Sequence, residues 1–186
     1  MRKRRKNGTP TVELWNMARS KYPVRPVKEI LDRIDPKKCV KMEIKKLLEE
    51  IKNRSKHTKS KIVVGELSDD VAAFLKEKGV PVHTKEIFLT HKGLSHLARE
   101  SKRKRGAGLS DEDILLIPEI LKSGSAYFDK AGRMNIVYCQ STEKCDKYVK
   151  IVVDTKAYDK KLGDITLIKT AGYIAEANLK SLTLIE

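Results

Sequence analysis

The stretch FLTHKGLSHLARE at 88–100 holds two of the chain's four histidines, His91 and His96, with Arg99 just beyond them. An imidazole takes and gives protons near neutral pH, and a guanidinium neutralises charge on phosphoryl oxygens. Together they suit chemistry on a phosphate ester. If Thr90 caps a helix here, His91 falls in its first turn and His96, five residues on, lies roughly 140° round the axis. The two rings then face different ways, which argues against a metal pair, since helical ligand pairs use i,i+4 on one face. Arg99, three residues after His96, is expected beside it. The competing reading packs His96 between Leu94 and Leu97 as a structural residue and leaves Arg99 in solvent.

Directly after this segment SKRKRGAG at 101–108 places Lys102, Arg103, Lys104 and Arg105 in a row. The dipole at a helix C-terminus accounts for one or two cations, and four point to a loop that tracks a nucleic-acid backbone. Arg2, Lys3, Arg4, Arg5 and Lys6 form a basic arm at the other end, read as a solvated tail that can bind phosphates. Late in the chain, DITLIKTAGYI at 164–174 sets Thr166, Lys169, Thr170 and Tyr173 among Ile and Leu. By strand alternation Thr166, Ile168 and Thr170 share one face and Lys169 the other, and the Ala-Gly step permits close backbone approach. Cys39, Cys139 and Cys145 lack the spacing of a metal site and are read as free thiols. Neither a metal nor another cofactor is expected.

These residues need elements to hold them. Helical stretches are expected at 11–22, 26–34 and 40–54, the last with Met42, Ile44, Leu47, Leu48 and Ile51 at helical intervals. Trp15, beside Leu14 and Met17, is read as a packing anchor. A polar linker, SKHTKS at 55–60, divides a basic arm and helical extension (1–59) from a second domain (60–186). In that domain a strand at 61–67 precedes a helix capped by Ser68 and ended at Gly79. A strand at 86–89 leads into the helix THKGLSHLARESKR, and LSDEDILLIPEIL opens on Ser110 with Asp113 as its capping-box partner. Four β-branched or aromatic runs follow at 125–128, 133–140, 148–155 and 164–174, spaced as hairpins. The tail NLKSLTLIE is expected to add a last strand or cover an edge. The expected fold is α+β: N-terminal helices, then an antiparallel four-stranded sheet with helices on one face and the other face free.

Composition narrows the partners. Lys and Arg number 40 against 25 Asp and Glu, a formal net charge of +15, which favours polyanions. Apolar runs such as ILLI and IVV are too short to span a bilayer, and MRKRRK lacks the apolar run of a secretory signal. A cytoplasmic chain, or one delivered into a target cell, is expected, with a nucleic acid as partner and no membrane. Aromatics at 5% disfavour an open single-strand binder built on base stacking.

The order IVVGELSDDVAAFL, EIFLTHKGLSHLARE, LSDEDILLIPEIL and a final ITLIKTAGYI resembles the phage-associated nuclease families of the barnase, EndoU, colicin and RelE-like fold. The resemblance covers roughly 60–176 and implies a toxin-like, metal-independent ribonuclease cutting tRNA or mRNA, with RNA as its partner and a protein inhibitor (an antitoxin or immunity protein) as a further one. Matched to such families, His91 and His96 correspond to the helix histidines, Arg99 to the basic residue after them and Thr170 to the late strand threonine, with Lys169 and Tyr173 as adjacent candidates. In the implied reaction a base deprotonates the ribose 2′-OH, which attacks the neighbouring phosphate. His96 leads for proton transfer with His91 second, Arg99 and Lys169 stabilise the phosphorane, and Thr170 bonds a phosphoryl oxygen. Two alternatives keep the charge without the chemistry: a nucleic-acid-binding module with packed histidines, and an interaction protein of a phage or toxin–antitoxin system.

Overall fold

Apolar residues at 40, 44, 47, 48 and 51 make α1 (Pro36–Lys52) amphipathic, in a computed structural model that describes residues 36–54, 61–129, 135–141 and 147–185. Ile44, Leu47 and Leu48 are 0%, 3% and 3% exposed, whereas Met42, about 200° round the axis from Ile44, stands out into solvent. The buried stripe thus runs through Val40 rather than Met42. The basic arm Arg2–Lys6, the helices expected at 11–22 and 26–34 with Trp15, the linker 55–60 and Cys145 all lie outside the described residues.

β1 (Lys61–Glu66) and β2 (Glu86–Thr90) pair antiparallel around α2 (Asp69–Glu77), whose cap Ser68 accepts a hydrogen bond from Val71 N. From β2 the chain passes into α3 (His91–Leu97), capped by Thr90, and α4 (Glu100–Lys104). α5 (Asp111–Leu115) and α6 (Ile117–Ser123) follow. The strands β3 (Ser125–Asp129), β4 (Asn135–Ser141), β5 (Lys147–Asp159) and β6 (Gly163–Ala175) then form a meander, each antiparallel to the next. A 3₁₀ helix (Glu176–Ser181) leads to β7 (Thr183–Leu184), which pairs with β3.

This arrangement corrects the expected four-stranded antiparallel sheet. The sheet has seven strands in the order β1-β2-β6-β5-β4-β3-β7 and is mixed, because β2 lies parallel to β6 through Ile87↔Thr166 and Phe88↔Leu167. The β1–β2 pair, which the expected four-stranded sheet left out, extends the meander. One hydrophobic cluster joins α1, α2, α3, α5 and α6 to β1–β6, from Ile44 and Leu48 through Leu75, Leu94 and Ile120 to Ile151 and Ile168. Burying each such side chain contributes about 1.5–3 kcal/mol. Pro36–Glu186 is accordingly one compact unit, so the boundary expected at 59/60 falls inside it. The second sheet face is not free either: Val137, Cys139 and Val152 pack there against Leu179 and Leu182 of the C-terminal segment. Among the described residues no helix is long and apolar enough to cross a membrane.

Candidate functional site

α3 is placed by its cap and its packing. Thr90 Oγ1 accepts a bond of 2.9 Å from Gly93 N, and Leu94 and Leu97 are buried against the sheet. His91 opens the helix and His96 lies in its last turn, both half-buried and roughly 140° apart, as the spacing required. The helix expected to run on to residue 103 stops at Ala98, where Ala98 N reaches Leu94 O, and Arg99 turns extended at φ −61° and ψ 125°. No Gly or Pro stands there, so packing rather than propensity sets the break. Arg99 therefore approaches His96 from a turn, not along a helix face.

The break redirects α4 toward β6. Among the described residues no strand pairs with the outer edge of β6 beyond Leu167, and the segment after α3 occupies that edge. Lys102 Nζ donates to Thr170 Oγ1 at 2.9 Å and to Ala171 O at 3.4 Å. Ala107 O accepts from Tyr173 N at 3.2 Å. The approach is close: a Cβ on Gly172 would lie 2.4 Å from Ala107 O, and one on Gly108 would lie 2.6 Å from Arg103 N. Both glycines are required by contact rather than by an unusual φ.

The electrostatics of this edge are one-sided. Burial first, then the charges of Lys102 and Arg99, lowers the pKa of His96 below its ordinary 6.5, so the imidazole is mainly neutral at pH 7. Burial, Arg105 and Arg99 likewise lower Lys102 below 10.5. Lys102 thus links the two expected residues, bonded to Thr170 and acting on His96. Cations pressed together in this way hold a place for an anion.

The basic run 102–105 is a short helix and its exit rather than the expected loop, and its members divide. Lys102 belongs to the site. Arg103 donates to Leu109 O at 2.9 Å and pairs with Asp111, which Lys52 also meets. Lys104 and Arg105 are exposed. Lys169 occupies a bulge, where Val152 and Val153 face Thr170 and Ile168, and it turns to Asp154 at 3.5 Å. That removes it from the group around Lys102. Tyr173 donates its phenol proton to Asp113 and accepts from Ser110 N at 3.4 Å, while Ser110 Oγ donates to Asp113 at 2.8 Å. Burial, then the bond to Asp113, raises the phenol's pKa above 10.0.

No family model, curated protein or solved structure matches the chain. Cys139 is buried, with its thiol pushed up to about 11, and Cys39 is exposed; both are free. Among the described residues no group of three or more His, Cys, Asp or Glu is placed to hold a metal ion. A groove of about 370 Å³ between α1 and β1, lined by Met42, Leu47 and Ile62, is apolar and contains no imidazole. Sequence reasoning named Lys102 among the nucleic-acid-binding residues but, reading the basic run as a unit, did not place it beside Thr170 and His96. The signal that separates Lys102 from its neighbours is its contact with β6, which spacing does not encode.

Proposed function

We propose that this chain is a metal-independent ribonuclease that works by attack of a ribose 2′-OH on the adjacent phosphate. The observation that carries this reading is the Lys102–Thr170 bond at the edge of β6 beyond its pairing with β2, beside an imidazole whose pKa burial and neighbouring cations lower. Neutral His96 takes the 2′-OH proton, the 2′-oxygen bonds to phosphorus, and the P–O5′ bond breaks. Lys102, a stronger acid than an ordinary ammonium, gives its proton to the departing O5′. Arg99 offsets charge on the phosphoryl oxygens. Thr170 uses one acceptor lone pair on Lys102, which leaves its O–H to donate to a phosphoryl oxygen. The cations that the segment after α3 brings to this edge suit an anionic polymer. The net charge of +15 draws that polymer in.

The test is incubation of the purified chain with RNA in excess EDTA. Expected are 5′-OH ends and 2′,3′-cyclic or 3′-phosphate ends, with His96→Ala slowing the reaction roughly 10²-fold or more while melting near the parent temperature. RNA bound but never cut, across a range of RNAs, overturns the reading in favour of a non-catalytic nucleic-acid-binding module.

A further inference from the structure

The first turn of α5 carries Asp111, Glu112 and Asp113, a distribution that the helix dipole alone would favour. Two of these carboxylates reach further than the dipole requires. Asp111 holds Arg103, whose Nε bonds Leu109 O, and so ties down the far end of the loop at 105–109. Asp113 accepts the Tyr173 phenol, and Tyr173 N holds Ala107 O in the middle of the same loop. Ala107 N and Gly108 N in turn donate to Lys102 O at 3.2 and 3.0 Å. The loop is therefore fixed to α5, to β6 and to the backbone of the residue that reaches Thr170.

We propose that Asp113 and Tyr173 form a latch that positions Lys102 over Thr170. They are positioning residues, acting through the loop rather than on substrate. A phenylalanine at 173 would fill the same partly buried space against the core, so the hydroxyl is not needed for packing. Its proton is committed to Asp113, so it is not on offer to a phosphate. The effect on rate rests on the ribonuclease reading, whereas the effect on the loop rests on these bonds alone.

Tyr173→Phe in the full chain is the cleaner variant, because Asp113 also serves Ser110 and the cap of α5. Expected is a fall in kcat of roughly tenfold with KM within about twofold, since a small misplacement of a catalytic group is enough to slow chemistry. Asp113→Asn should follow it in the same direction. Amide exchange at Ala107, Gly108 and Tyr173 should speed up in both variants, while the melting temperature stays near that of the parent. Parent-like exchange at those three amides overturns the latch, and so does a change confined to KM, which would place the phenol on substrate. Should the parent cut no RNA, the ribonuclease reading fails, and the exchange measurement alone still decides the latch.

Discussion

Lys102 Nζ donates to Thr170 Oγ1 over 2.9 Å, although the two residues stand 68 positions apart. That bond exists because the chain turns at Arg99 and because β6 outruns β2, and it brings an ammonium from one local motif onto a hydroxyl from another. Its charge also bears on His96.

Replacing Lys102 with Met should therefore change two things at once. The rate of RNA cleavage should fall roughly 10²-fold or more, the scale of a lost proton-transfer group. His96 acts as base only when neutral, so kcat/KM in the parent rises with pH through a value below 6.5. Removing a cation that disfavours the imidazolium moves that acid limb up toward 6.5, while burial, the larger cause, keeps it below. A pH–rate profile of the two proteins checks this, and an unmoved limb would mean that Lys102 does not act on His96.

The exposed part of the basic run should carry long-range attraction to RNA. Lys104→Ala and Arg105→Ala should each reduce the slope of log affinity against log salt by about 1. Arg103→Ala should lower the melting temperature instead, because its partners are Leu109 O and Asp111. Filter binding across a salt series, beside thermal melts, separates the two behaviours.

The core placement of α1 sets an expectation for truncation. A chain beginning at Ser60 loses Ile44, Leu47 and Leu48 and should melt without cooperativity, whereas one beginning at Pro36 keeps the whole cluster and should melt as a single transition. Leu47→Ala in the full chain should cost about 2–5 kcal/mol, as a deleted core leucine does. Circular dichroism against temperature checks all three.

Local signals proved readable. Ser68, Thr90 and Ser110 each cap the helix that the sequence assigned to them, since a hydroxyl before an apolar period satisfies free amides within one turn. The four runs between 125 and 175 are the strands β3 to β6 for the same local reason. What sequence did not reveal is non-local. The parallel register of Ile87 with Thr166 is set by packing across about eighty residues, and a two-residue pairing leaves no periodicity of its own. The bulge at Lys169 shifts the register within β6, and Lys169, which the resemblance made a candidate for the phosphorane, pairs with Asp154. The division of Lys102 from Arg103 is equally invisible in a run of like charges.

Beyond Leu167 the outer rim of β6 would present unsatisfied backbone groups, the kind of template that recruits strands from neighbouring molecules. Ala107 O and Lys102 Nζ meet Tyr173 N and Ala171 O there, so the segment that carries Lys102 also blunts the rim. Colloidal behaviour and the placement of Lys102 are thereby tied to one short loop. Any substitution that loosens it uncovers a sticky strand border in the same motion that disorders the ammonium.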